Sequence, residues 1–117
     1  MLTQRRVEAL EEPRCRELLR HASVGHVALS IGALPAIVPV RYRVVGDDLV
    51  FESANGVPLM GDDGHVVAFE TDEIEVGDGT GWVVQAIGVA RRVESEEDDS
   101  PVYRLHLNVI SGTATSA

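Results

Sequence analysis

The 117-residue sequence contains no lysine, so all ten of its basic residues are arginine. That absence excludes a lysine Schiff base, and with it the usual covalent attachment of pyridoxal phosphate. Cysteine is almost as scarce. Cys15 stands alone, which rules out an intramolecular disulfide, and no Cys/His spacing suggests a zinc site, so no metal is expected. Redox chemistry in this chain therefore needs a borrowed cofactor. Positive charge is short as well: the net charge is −9, which argues against nucleic acid and against an anionic membrane surface, because both draw on clustered cations. No apolar run approaches the roughly 20 residues that cross a bilayer. The opening MLTQRRVEALEE lacks the apolar stretch of a signal peptide, so a cytoplasmic location is expected.

What remains is a 44% hydrophobic chain of single-domain length, expected to form one domain over 1–117 with a frayed tail at 111–117. At this size folding buries about two-thirds of the unfolded surface, enough for a real core. Residues 24–53 organise it. Three β-rich apolar runs, 24–30, 36–45 and 49–53, are separated by Gly32-Ala33-Leu34-Pro35 and by Gly46-Asp47-Asp48, which is turn chemistry. They predict a three-strand antiparallel meander. In its middle strand Ala36, Val38, Val40, Tyr42 and Val44 face the core, and Ile37, Pro39, Arg41, Arg43 and Val45 face outward. Pro39 has no ladder donor, so this strand is expected at an edge or bulged near Pro39.

Before the meander, Pro13 suits a first helical turn, and Cys15, Leu18, Leu19 and Ala22 recur at helical spacing. Val7 and Leu10 suggest a preceding turn. After it, 54–64 reads as a loop, 66–71 as a fourth strand, 72–81 as an acidic, Gly-rich connection, and 82–93 as the longest strand. Gly88 within that strand suggests a barrel corner or a close backbone approach. The charge run 94–99 reads as a solvated loop, and Tyr103, Leu105, Leu107 and Val109 alternate as a sixth strand. Six antiparallel strands and one docked helix close most economically as a small barrel, with a sandwich as the competitor. The fold class expected is mainly β.

Few side chains announce chemistry. No serine lies in a GxSxG elbow, and Cys15 sits on the buried helical stripe. The four histidines show no ligand spacing, and His26 reads as a packed or hydrogen-bonded strand residue rather than a base. Asp47/Asp48 and Asp62/Asp63 read as turn formers, and Asn55-Gly56 first as a turn. Trp82 suits either a core position or a platform for a planar ring.

The ordered set Leu18-Leu19, Val24-Gly25-His26-Val27-Ala28, Gly32 to Pro35, Val38-Pro39-Val40-Arg41-Tyr42, Leu49-Val50-Phe51, Gly56 to Leu59, Val67-Ala68-Phe69-Glu70, Gly81-Trp82 and Gly88 spans nearly the whole chain. It resembles the pyridoxamine 5′-phosphate oxidase-like flavin-binding split barrels, specifically the bacterial branch that includes nitroimidazole-resistance-type proteins. The resemblance implies a six-stranded antiparallel split β-barrel with an N-terminal helix, assembled as a homodimer with FMN at each subunit interface. It implies a flavin-dependent oxidoreductase acting on an unidentified small molecule. By position, Pro39, Val40, Arg41 and Tyr42 lie along the flavin with Arg43 beside them. Ser53, Asn55, Gly56, Pro58 and Leu59 hold its phosphate end, and Trp82 and Val83 flank the site. Because the flavin performs the transfer and the protein orients it, no catalytic side chain is implied.

The sequence departs from that family at three places. Relatives usually carry Lys or Arg where this chain has Pro58, often carry Arg where it has Gly79-Thr80, and commonly have a helix in the short acidic stretch before Tyr103. A charge-assisted contact is worth roughly 1.5–3 kcal/mol, so Arg41 or Arg43 is expected to supply the countercharge. The alternative is a non-enzymatic split-barrel module with a decayed FMN phosphate site, binding deazaflavin, haem or a protein partner. Pyridoxamine-phosphate oxidation itself is disfavoured, since lysine and much of a cationic substrate pocket are absent.

Overall fold

The expected meander is present as β2 (Val24–Ile31), β3 (Leu34–Val45) and β4 (Asp48–Ser53) in a computed structural model that describes residues 6–56, 58–61, 63–93 and 101–116. The other elements are β1 (Arg6–Ala9), α1 (Glu12–Leu19), β5 (His65–Ile74), β6 (Gly81–Val93), β7 (Val102–His106) and β8 (Val109–Ser116). All pairings are antiparallel. Strands β6-β5-β2-β3-β4-β7 follow one another, and β7 pairs back onto β6, closing a six-stranded barrel. β8 and β1 extend outward from β6 as a flap. The charge run 94–99 lies outside the described residues.

Closure depends on β6 changing partner along one edge. Its Gly81–Ile87 half pairs with β8, and its Ala90–Val93 end pairs with β7. Gly88 lies at the switch, with the Leu105 side chain of β7 close above it, which is the barrel corner that a glycine in a long strand suggested.

Strand alternation fills the interior with Val27 and Leu29 from β2, Val40 and Tyr42 from β3, Leu49 and Phe51 from β4, Val67 and Phe69 from β5, Val84, Ala86 and Ala90 from β6, and Tyr103 and Leu105 from β7. Helix α1 plugs one end with Cys15, Leu18 and Leu19. Tyr42 ties plug to wall: its ring meets Phe69 edge-on at 4.8 Å between centroids, and its hydroxyl donates to the Leu19 carbonyl at 2.6 Å. That bond satisfies a carbonyl at the helix end that has no intrahelical donor. Arg16 adds a second tie, donating to the Leu107 carbonyl at 2.8 Å while pairing with Glu12 and Asp47.

Five expectations change. The tail expected to fray is β8, paired through Ser116 with β1 and through Thr115 with β6, so its small residues are held by backbone pairing rather than by an apolar stripe. The single sixth strand is broken after His106. Leu107 turns into the core, its N–H bonding the Asp47 carbonyl at 2.8 Å, and β8 starts afresh at Val109. Arg6–Ala9 is a strand rather than a turn, and β5 continues through Asp72 to Ile74 because Ile74 pairs with Gly81. Finally, β3 is interior to the sheet order rather than an edge. Pro39 is tolerated because its carbonyl, and hence its missing N–H, points toward β4 beyond that strand's last pair at Ser53, where Ala54 N–H reaches the carbonyl at 3.2 Å.

Gly25 makes the tightest approach between β2 and β5. A Cβ there would stand 2.6 Å from the Phe69 ring and 2.6 Å from the Glu70 carbonyl. Gly25→Ala is expected to destabilise the fold by about 1–3 kcal/mol through overpacking. It should be read as a lower urea midpoint at unchanged slope; an unshifted midpoint contradicts the packing described.

Candidate functional site

The outward faces of β3, β2, β5 and β6 form the candidate site. Strand pairing aligns Pro39 with His26, His26 with Glu70, and Glu70 with Gln85, so a polar row crosses three strands, β2, β5 and β6, with Pro39 of β3 at its end. The next row, Ile37, Ala28, Ala68 and Ile87, is apolar. Between the rows lies an open cavity of about 280 Å³ lined by His26, Glu70, Gln85, Ala28, Ile37, Ala68 and Ile87, with Phe69 beneath. A second, apolar hollow of about 380 Å³ shares Ala28, Ile37, Ala68 and Ile87 and continues toward Ser30 and Val66. The groove is thus polar at one end and greasy at the other, the composition that suits a planar organic ligand.

The residues singled out in the sequence divide by face. Pro39, Arg41 and Arg43 are exposed on the outward side of β3, and Val83 stands outward on β6 two positions before Gln85. They share the outward face of the sheet with the groove but lie outside its lining. Val40 and Tyr42 point inward and are buried, and Val40 is laddered to both Gly25 and Ser53. Trp82 is half-buried against the core on the opposite face of β6 from Val83. Gly81, which sets that alternation, has φ +147°, and a Cβ there would lie 2.0 Å from the Glu73 carbonyl. Only glycine can start the strand so close to β5.

The loop after β4 is internally bonded. The Ser53 hydroxyl donates to Asn55 Oδ1, Asn55 N–H returns to Ser53 Oγ at 3.3 Å, and Gly56 N–H meets the Ser53 carbonyl at 3.3 Å. Leu59 and Met60 N–H groups converge on the Tyr103 hydroxyl at 3.1 and 3.4 Å, and that hydroxyl donates to the Met60 carbonyl at 3.2 Å. Leu59 packs on the core, whereas Pro58 is exposed. A cation at the start of this loop is Arg41, whose Nη2 donates to the Ala54 carbonyl at 3.1 Å, with Nη1 3.9 Å from Glu52, while the Arg91 guanidinium lies beside Gly64 at its end. Arg43 stands two residues farther along β3, opposite Val50 and away from the loop.

Sequence reasoning missed the polar row. His26, expected to be packed or hydrogen-bonded, is exposed in the groove because Gly25, Val27 and Leu29 take the inward positions of β2. Gln85 carries no sequence signal, and Glu70 enters only as the last residue of the Val67-Ala68-Phe69-Glu70 set, with no site role, although it is the polar outward residue in an otherwise apolar alternation. The Glu70 carboxyl is pushed up to about 7 by its hydrogen bond with Asp72, then by burial, and then by the Asp72 charge. Burial also raises the Tyr42 phenol, partly offset by a hydrogen bond with Thr71. Among the described residues there is no group of three or more His, Cys, Asp or Glu placed to hold a metal ion, and no helix is long and apolar enough to cross a membrane.

A family model described as pyridoxamine 5′-phosphate oxidase matches residues 11–116. An uncharacterized protein of Mycobacterium tuberculosis is 34% identical over 107 residues, covering 86% of this chain and 70% of that protein. The solved structure of a FAD-binding protein from Mycobacterium smegmatis is similar at 25% identity and a TM-score of 0.73, over 93% of this chain and 98% of the other. A FAD-binding protein from Mesorhizobium loti shares the fold at 18% identity and a TM-score of 0.79, over 97% and 100% of the two chains.

The raised Glu70 carboxyl ties stability to pH. Below its ordinary value of 4.5 the group is protonated in folded and unfolded chains alike; between 4.5 and about 7 only the folded chain holds the proton, so stability falls as pH rises through that window. Glu70→Gln should remove this contribution. Melting curves from pH 4 to 8 should show wild type losing stability relative to the variant up to about pH 7 and running parallel above it; a constant difference across the range contradicts the assignment.

Proposed function

The chain belongs to the pyridoxamine 5′-phosphate oxidase family, and on that footing we propose that it is a cytoplasmic flavin-binding homodimer that holds FMN in the outward groove and oxidises or reduces a small organic molecule. The observation that carries the reading is the groove itself, where the polar His26, Glu70 and Gln85 meet the apolar Ala28, Ile37, Ala68 and Ile87 across four strands. The similarity to the FAD-binding protein of M. smegmatis supports a flavin as the ring bound there.

The residues present suit such a group. Ile37, Ile87 and Ala28 offer an apolar bed, His26 and Gln85 offer hydrogen-bonding groups at its polar end, and Arg41 offers charge beside the loop that would meet a phosphate. When bound, the flavin supplies the hydride or electron transfer. The chain's own part is to bind, orient and exclude water. The last of these needs a cover, because the groove is open and its surroundings are apolar: Ile37 is 75% exposed, Val66 71% and Ile87 50%. Apolar area clustered in this way marks a contact surface. In this reading a second copy of the chain covers it and completes a site at each interface.

The loop favours a second reading. Its described amides at 54, 55, 56, 59 and 60 are all engaged within the protein, and Pro58 stands exposed where relatives place a cation. A barrel so arranged is a binding module without a strong phosphate clamp, taking deazaflavin, haem or a protein partner. Thermal shift with FMN, FAD, a deazaflavin cofactor and haem separates the two, and stabilisation by FMN alone rejects the module.

The purified protein is expected to be yellow or to quench added FMN fluorescence; a colourless protein that does neither ends the flavin reading. Arg41→Ala should weaken FMN about tenfold or more, the loss of one charged contact, while leaving riboflavin unchanged. Equal losses for both ligands contradict a phosphate role for Arg41. Ile37→Asp should convert the dimer into a monomer by light scattering, and an unaltered mass rules out this face as the interface.

A further inference from the structure

Away from the groove, on the outward face shared by β3, β4, β7 and β6, cross-strand register aligns Arg43 with Val50, Val50 with Arg104, and Arg104 with Arg91. Three exposed arginines thus stand in one row on a chain whose net charge is −9. Arg104 and Arg91 are directly opposed, a placement that like charges make unfavourable. Val50 alternates with the core residues Leu49 and Phe51 and so points outward, yet it is only 8% exposed. Its two cross-strand neighbours account for this, since arginine stems cover apolar surface while their heads stay in water.

The carboxylates that flank Val50 along β4 do not neutralise the row. Asp48 is shared, with Oδ1 2.8 Å from His106 Nδ1 and Oδ2 3.5 Å from Arg104 Nε, and Glu52 lies 3.9 Å from Arg41. The contact through Nε orients the Arg104 guanidinium and leaves its two terminal nitrogens unbonded among the described residues. Among those residues Arg43 and Arg91 make no ion pair or side-chain hydrogen bond. We propose that this row is a second anion site, in which Arg43 and Arg104 close over Val50 on a diphosphate with Arg91 beside them. Two planar guanidinium forks suit two linked phosphates, because each phosphate accepts a bidentate pair. A lone carboxylate fills one fork and leaves the other cations uncompensated. On β3 the outward Arg41 stands between this row and the groove, so the diphosphate has two sources: a free nucleoside diphosphate, or the tail of a dinucleotide whose ring lies in the groove. Only the second source rests on the flavin reading.

Calorimetry with inorganic pyrophosphate and with adenosine diphosphate, at constant ionic strength, should show saturable binding. Arg43→Gln and Arg104→Gln should each weaken it about tenfold or more, the loss of one charged contact. Arg104→Gln should leave FMN affinity unchanged, since Arg104 is not part of the groove lining. Comparison of FAD with FMN separates the sources. For a dinucleotide tail, FAD binds more tightly than FMN and Arg104→Gln removes the difference; for a free nucleoside diphosphate, the two flavins bind alike and adenosine diphosphate still binds to FMN-saturated protein. Pyrophosphate binding with no affinity for either flavin keeps this site and removes the flavin reading. The site is overturned if neither pyrophosphate nor adenosine diphosphate binds and FAD equals FMN, or if binding is undiminished in both variants.

Discussion

The position of Tyr42 is the constraint on which the groove depends. Its ring is locked edge-on against Phe69 and its hydroxyl is committed to the last turn of α1, so β3 cannot slip by one residue without exposing a large aromatic and stranding a carbonyl. With Tyr42 inward, Arg41 and Arg43 must be outward, and Pro39 follows by the same two-residue period. The surface chemistry of the strand is thus dictated from inside. The helix contributes nothing directly to the groove, yet it supplies the acceptor that fixes this register.

The second determinant is where strands end. β4 stops pairing at Ser53, one residue short of Pro39, and the chain then turns back on Ser53 through Asn55 and Gly56. Arg41 reaches over this turn to Ala54. A proline inside a sheet, an arginine two residues along the same strand and a self-bonded loop are therefore one local solution to the same problem of unpaired backbone. Tyr103 performs the equivalent service farther along, its hydroxyl collecting the amides of Leu59 and Met60 from within the barrel.

Much of this was legible in the sequence wherever the signal was local. The alternation of Val38, Val40 and Tyr42 against Ile37, Pro39 and Arg41 identified the two faces of β3, and Gly88 marked the barrel corner. β8 was not legible, because Ser111, Gly112, Thr113 and Ala114 carry no apolar stripe and are held by ladders to β6 and β1 that lie far away in sequence. The break at Leu107 escaped for a related reason: Leu107 keeps the period of a strand residue, while its amide is claimed by Asp47 at the β3–β4 turn. The polar row of the groove, His26, Glu70 and Gln85, exists only through the mutual register of three strands. Each residue taken singly looks like ordinary solvated surface. The ordered family motifs carried the architecture across such gaps; they implied site residues on β3, at Ser53 and the loop after it, and at the start of β6, and gave Glu70 of β5 no role.

β6 serves two neighbours along one edge, and this makes it a lever with its fulcrum at Gly88. On one arm, Val83, Gln85 and Ile87 face the groove while their backbones are laddered to Thr113, Ser111 and Val109 of the C-terminal flap; on the other, Ala90 to Val93 clasp β7 and hold the barrel shut. β8 is thereby tied to the groove wall through β6 and to the core through Ile110 and the Gly112 backbone beside Cys15. Residues 109–115, featureless in sequence, thus form the backbone seam behind the β6 wall of the candidate groove.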